Sequence, residues 1–243
     1  MQDFFESIEK SFTKTFITDD RWLQLLQGLG VTVQITLLAG ILGIVIGTLI
    51  AIIRSTHDLN LSGKKCCKPG DYVLKVLNFI CNIYITIIRG TPIVIQLMIM
   101  YYVIFASSRN GILAAVLSFG INSGAYVAEI VRSGIMSIDK GQAEAGRSLG
   151  FNYSQTMIFI IIPQAIKNIL PALGNEFIVL VKETSVAGYV ALQDLTYVGN
   201  LIRSRTYEAF FPLIVVALIY LVRVLILTFL LKRLERRLRN SEH

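Results

Sequence analysis

Long uncharged apolar runs separated by short polar and basic interruptions dominate this chain, and their lengths predict membrane-crossing helices. Val31 to Ile53 carries no charge, and neither does Ala209 to Val222. Each approaches the roughly 20 residues a helix needs to cross the hydrocarbon. The runs are continuous rather than alternating, which argues against a β-barrel. Five spans follow: about Gly30 to Ile53, Tyr72 to Phe105, Ile112 to Val131, Ile166 to Val181 and Phe210 to Leu231. The second is longer than one crossing needs, and Arg89-Gly90-Thr91-Pro92 interrupts it. Pro92 has no amide hydrogen and disfavours helical geometry at Thr91, so the helix is expected to kink or break there. Such a break is tolerated at membrane depth only where protein or water covers the freed backbone. Ser107 to Gly111 reads as a short outer turn. The fold class expected is an all-α membrane protein.

Composition agrees, with 54% hydrophobic and only 16% charged residues among 243. A net charge of +7 raises the question of nucleic acid, and the placement of the charges answers it. Arg54, Lys64, Lys65 and Lys68 follow the first span; Lys232, Arg233, Arg236, Arg237 and Arg239 follow the last. Basic residues at the ends of spans mark the cytoplasmic side, so the N-terminus is outside, the C-terminus inside, and no nucleic-acid partner is expected. Met1 to Asp20 mixes charges with apolar residues and does not read as a cleavable signal peptide. Residues 1–27 are expected as an N-terminal segment, amphipathic over Phe4 to Phe16 at the outer surface. Residues 28–237 then form the transmembrane domain, and 238–243 a cytoplasmic tail. Cys66 and Cys67 fall together in a basic cytoplasmic loop and Cys81 in an apolar helix, without zinc-site spacing. No metal or cofactor is expected. Gly40, Gly43 and Gly47 recur at helical spacing, which suits close packing by a neighbouring helix.

One polar stretch stands apart. Asp139 to Gly150 is charged and rich in small residues, and Pro163 follows after an amphipathic run. Asp139 suits the N-cap of a short helix, with Gln142 placed to complete a capping box. Ala143, Gly146 and Gly150 share a face on which another backbone could close, and Glu144 and Arg147 are spaced to pair. Gly150 suits the left-handed residue that ends a helix. Asn152 and Gln155 then cap a second helix with Tyr153, Met157, Ile160 and Ile161 on its apolar side. Two short helices about a glycine would make a knob for a partner's groove; a solvated connector is the alternative.

Glu144-Ala145-Gly146, Gly150, Ile160 and Ile162-Pro163 resemble the EAA motif of binding-protein-dependent ABC-transporter permeases: EAA, three residues, G, nine residues, I-x-L-P. Gly146 stands where the third position is usually alanine, and Ile162 replaces leucine. Further segments resemble the polar-amino-acid branch (His/Glu/Gln/Arg/opine) of that family. They are Gln27-Gly28-Leu29, Arg89-Gly90-Thr91-Pro92, Asn122-Ser123-Gly124-Ala125-Tyr126 with Ala128-Glu129, Leu173-Gly174-Asn175, and Lys182 with Thr184-Ser185. The likeness runs from about Gln27 to Arg237.

The resemblance implies a type I importer permease (MetI-like) architecture in the bacterial cell membrane. It implies a second permease subunit, identical or related, and cytoplasmic ABC ATPase subunits that bind the loop 137–163 of each permease. An extracellular substrate-binding protein would deliver a polar amino acid. Gly141, Glu144, Ala145, Gly146, Gly150 and Pro163 are the expected ATPase-coupling residues. The chain has no G-x-x-x-x-G-K-[ST] phosphate loop of its own, since Gly63-Lys64-Lys65 lacks its leading glycine and hydroxyl residue. It is therefore not expected to be an enzyme, and no catalytic residues are assigned; nor does any nucleophile or carboxylate pair suggest a membrane enzyme.

Pathway residues are read from polar groups inside spans, which are costly in lipid and by default functional. Asn122, Ser123, Tyr126 and Glu129 could accept an ammonium and donate to a carboxylate; alternatively Asn122 and Ser123 bond a neighbouring helix and Glu129 pairs with Arg132. Arg89 and Thr91 belong to the pathway, or Arg89 snorkels to the interface. Lys182, Thr184 and Ser185 line a gate or mark a boundary. A self-sufficient ion-coupled secondary transporter is the rival function, weakened by the lack of an internal repeat.

Overall fold

The computed structural model describes residues 6, 9–61, 69–107 and 110–239. Lys64, Lys65, Lys68, Cys66 and Cys67 lie outside the described residues, as do parts of the Phe4–Phe16 segment and the Ser107–Gly111 turn. The described residues are mostly helical. They include α1 (Arg21–Leu61), α2 (Pro69–Gly90), α3 (Ile93–Ile99), α4 (Gly111–Met136), α5 (Lys140–Ser148), α6 (Tyr153–Thr156), α7 (Ile162–Glu183), α8 (Leu195–Thr206) and α9 (Phe210–Arg239). Among the described residues, five helical stretches are long and apolar enough to cross a membrane, at the five predicted places.

Local chemistry sets the boundaries. Pro69 opens α2 at a position where no amide hydrogen is missed, and Asp71 and Arg89 sit in its first and last turns, each sign complementing the helix dipole. The expected break follows: Gly90 ends α2, and Pro92, extended at ψ 135°, precedes α3. A π-helical turn, Met100–Ile104, continues α3.

Two expectations need correction, and a third is extended. The helix of the first span runs beyond Ile53 to Leu61 and carries Arg54 and Asp58 on its last turns. The outer segment after the fourth span holds a helix not anticipated, α8, whose N-cap Asp194 accepts from the amides of Thr196 and Tyr197. The stretch after Gly150 is no short second helix. Asn152 starts it, and helix continues through a π turn (Met157–Ile161) into α7, passing Pro163 and Pro171.

The chain divides into two compact units. One comprises Met1–Ala39, Pro92–Phe119 and Ile178–Thr228. Its core joins Ile35, Ala39, Leu97, Phe119 and Leu180, with a second cluster of Phe16, Leu25, Leu195, Ile202 and Val216. The described N-terminal residues thus do not merely lie on a surface, because Phe16 is buried in the protein's own core.

The other unit comprises Gly40–Thr91, Gly120–Phe177 and Phe229–His243. Here Ala51, Val127, Val131, Ile161 and Ile169 pack together. Helices α1 and α4 mesh through glycines: a methyl at Gly47 would lie 2.5 Å from Val127, and one at Gly43 would lie 3.0 Å from Ser123. Lipid supplies no hydrophobic drive between helices, so such close backbone contact supplies dispersion instead.

Candidate functional site

Two sites emerge, both within the unit that holds Gly120–Phe177. The first is the polar loop. Asp139 Oδ1 accepts from the amide of Gly141 at 2.7 Å and so caps α5. The capping box with Gln142 does not form, because the Gln142 side chain instead accepts from Gln164 Nε2 at 3.2 Å. Glu144 and Arg147 are exposed and form no ion pair among those described. On an exposed helix such a pair gives only a few tenths of a kcal/mol, too little to hold two long side chains together.

The turn after α5 is fixed from both sides. Gly150 has φ +84°, which glycine adopts without a Cβ penalty. Its amide donates to the Arg147 carbonyl at 2.9 Å, and the Phe151 amide donates to that of Gly146 at 3.0 Å. This crossed pair is the Schellman motif, and it satisfies carbonyls left open at the helix end. Asn152 and Gln155 then form the predicted capping box, each bond 2.9 Å. Two of the three small residues on that face are turned to this same chain, and Gly150 stays exposed. Gly146 is buried against Thr156 and Ile160 of this same chain, and Ala143, like Ile160 and Met157, packs against the core of this unit. Outward stand Glu144, Ala145, Arg147 and Leu149, the last 72% exposed, with Pro163 also exposed.

The second site is a cavity of about 480 Å³ lined by Arg89, Tyr126, Glu129, Ser133, Ser137 and Asn168. The Arg89 guanidinium sits 5.1 Å from the centre of the Tyr126 ring, close enough for cation–π attraction. Asn168 donates to Ser137 Oγ at 3.0 Å. Both Glu129 oxygens are engaged: Oε1 accepts from Arg132 at 2.6 Å and Oε2 accepts from Arg54. Arg132 also donates to Asp58 Oδ2 at 3.0 Å.

The structure therefore brings Arg89, Tyr126 and Glu129 to one cavity and places the other candidates elsewhere. Asn122 and Ser123 are buried outside the lining, and Ser123 donates to Glu176 of α7 at 3.1 Å. Thr91 donates to the Ile87 carbonyl. Lys182, Thr184 and Ser185 belong to the other unit, where Thr184 is buried and shares a 3.2 Å hydroxyl contact with Thr36.

Sequence reasoning missed Asn168, Ser133 and Ser137 as cavity residues. A polar stripe along α4 and α7 was the available signal. It also read Arg54 only as a topology marker and passed over Asp58 and Leu149. Nothing in a linear pattern shows that two helix ends meet, or that a leucine faces outward.

Comparison with known proteins adds independent findings. Residues 72–240 match the family described as binding-protein-dependent transport system inner membrane component. The putative glutamine transport system permease protein GlnP of Rickettsia typhi is 37% identical over 89% of this chain and 93% of its own length. The arginine transport system permease protein ArtQ of Bacillus subtilis is 37% identical over 90% of this chain and 94% of its own. Among solved structures, a crystal structure of an amino acid ABC transporter with histidines is 40% identical, with a TM-score of 0.77 over 88% of this chain and 94% of that one. The MetNI methionine ABC transporter, 21% identical with a TM-score of 0.75, shows the shared fold.

Proposed function

This chain belongs to the family of binding-protein-dependent transport system inner membrane components, and from that premise we propose that it forms the pathway of an ATP-driven polar amino acid importer together with a second permease subunit. It is a multi-pass transport subunit of the bacterial cell membrane, not an enzyme, and a separate ATPase hydrolyses the nucleotide. Membership in a binding-protein-dependent family counts against the ion-coupled secondary transporter. The relatives named for glutamine and arginine support a polar amino acid as cargo.

One observation carries the coupling assignment. Helix α5 is locked at both ends by Asp139 and Gly150, yet Glu144, Arg147 and Leu149 face outward. A rigid, capped, outward-facing helix suits a helix-in-groove contact, since little ordering cost remains on binding. In this reading the ATPases grip one such helix from each permease. Their ATP-driven closure draws the two helices together and turns the pathway from inward- to outward-facing, where the external binding protein delivers its cargo. Gly141 and Asp139 cap the helix, Gly146 seats it on Thr156, Gly150 turns the chain, and Pro163 stands where the chain enters α7. Arg89 and Tyr126 are the cavity residues best suited to a carboxylate, because Arg89 enters no ion pair among the described residues and lies against the Tyr126 ring. Ser123, Thr91 and Thr184 hold helices through hydrogen bonds, while Asn122, Lys182 and Ser185 stay candidates for the pathway or its gate.

ATP-driven uptake into proteoliposomes holding both permease subunits, the ATPase and the binding protein tests this. Uptake by this chain alone under an ion gradient would overturn it.

A further inference from the structure

Helices α1 and α4 are joined twice. Glycine contacts mesh them at Gly43–Ser123 and Gly47–Val127, and Gly120 and Gly124 of α4 meet Leu42 and Ile46. Two turns beyond Gly47, the link changes from packing to charge. Arg54 and Asp58, one turn apart on α1, face Glu129 and Arg132, three apart on α4. Arg54 takes one Glu129 oxygen and Arg132 the other, and the remaining arm of Arg132 reaches Asp58. His57 closes the rim, with Nδ1 3.2 Å from Asp58 Oδ1.

Two features separate this cluster from a surface ion pair. Its four side chains are only 14% to 29% exposed, so solvent screens them little. It is also balanced, with two guanidiniums against two carboxylates, and needs no outside ion or ligand. Removing one member leaves a partly buried charge unpaired, the costly case. Only Ser137, Ile138 and Asp139 separate α4 from α5, and Ser137 is tied to α7 through Asn168.

We propose that Arg54, Asp58, Glu129 and Arg132 are positioning residues that clasp the cytoplasmic ends of α1 and α4 into one lever, so that movement of α5 carries both helices. The inference rests on the reading of α5 as the ATPase-coupling helix. It gives Glu129 a role other than contact with cargo: both of its oxygens serve the clasp.

The test uses the complete transporter in proteoliposomes, with permease subunits, ATPases and binding protein, and a radiolabelled mixture of polar amino acids as probe. ATP hydrolysed per amino acid imported is measured for wild type, Arg132→Met, Arg132→Lys and Asp58→Asn. Arg132→Met should raise that ratio about fivefold, a loss of coupling of ordinary size, with the half-saturating concentration changed by no more than about twofold. Arg132→Lys keeps the charge but cannot bridge both carboxylates, so it should fall between wild type and Arg132→Met. Asp58→Asn should raise the ratio about twofold. Should Arg132→Met fail to insert, Asp58→Asn decides alone. Unchanged ratios would overturn the clasp, and so would an unchanged ratio with a half-saturating concentration raised about tenfold, which would return these residues to cargo contact. Absence of ATP-driven uptake by wild type would instead sink the coupling reading beneath it.

Discussion

Gly146 lies so close to Thr156 that a methyl group on its Cα would sit 2.8 Å from Thr156 Cγ2 and 2.9 Å from its hydroxyl. The third position of the EAA pattern, usually alanine, is therefore tuned here to the residue ten places on. Gly146→Ala should destabilise the loop by about 1–3 kcal/mol, the usual cost of overpacking. Thr156→Ala should rescue it, because the Thr156 hydroxyl is buried with no hydrogen-bond partner among the described residues and its loss forfeits little. Thermal unfolding of the two single variants and the double variant in detergent measures the coupling. Additive effects would show that the two sites do not touch.

Gly150 adopts φ +84°, which costs an L-residue about 1–2 kcal/mol. Gly150→Ala should lower the affinity for the ATPase about tenfold while insertion proceeds normally, since about 1.4 kcal/mol is tenfold in an equilibrium constant. Gly150→Asn should cost less, because asparagine tolerates left-handed geometry. Pull-down of the ATPase with each variant ranks them; equal retention would contradict the turn's role.

Leu149 is 72% exposed beside Glu144 and Arg147. An apolar side chain raised at the end of a capped helix is a fitting anchor for a partner's pocket, and truncating such an anchor costs about 2 kcal/mol or more. Leu149→Ala should weaken ATPase binding by that amount without changing the thermal stability of the isolated permease. A variant that binds normally would remove Leu149 from the contact.

Asp194 caps α8 from a fully buried position, and burial pushes its carboxyl up to about 6 against its amide bonds from Tyr197 and Thr196. The folded protein then holds this proton more tightly than the unfolded chain, so this group's contribution to stability is greatest at low pH. It falls as pH rises from 3.8 through about 6, by on the order of 3 kcal/mol. Asp194→Asn keeps a good cap and removes the buried charge. Its unfolding midpoint should match or exceed wild type at pH 7.5 and vary less between pH 4 and 7. Parallel pH profiles for the two proteins would contradict this.

Much of this was legible because membrane insertion is strict. Lipid demands about 20 apolar residues per span, so five spans could be read directly, and Pro92 marked its own break. Asn152 and Gln155 formed their capping box because the signal is local, confined to one helical turn. Asp139 and Gln142 fit the same pattern, yet Gln142 bonds Gln164, a partner twenty-two residues away. Glu129 shows the limit most plainly. Its pairing with Arg132 lay within one helix and was foreseeable, whereas Arg54 and Asp58 reach it only because α1 and α4 pack together. Helix α8 escaped notice because it is too short and polar for a span, and only Asp194 announced its start.

The most direct test of the central claim is uptake into proteoliposomes by the complete transporter, comparing wild type with Glu144→Lys. Wild type should import only with ATPase, ATP and binding protein together. The variant, carrying a reversed charge on the outward face of α5, should insert normally and lose at least about nine-tenths of that uptake, equivalent to about 1.4 kcal/mol. Wild-type import without the ATPase, or equal import by the variant, would contradict the account.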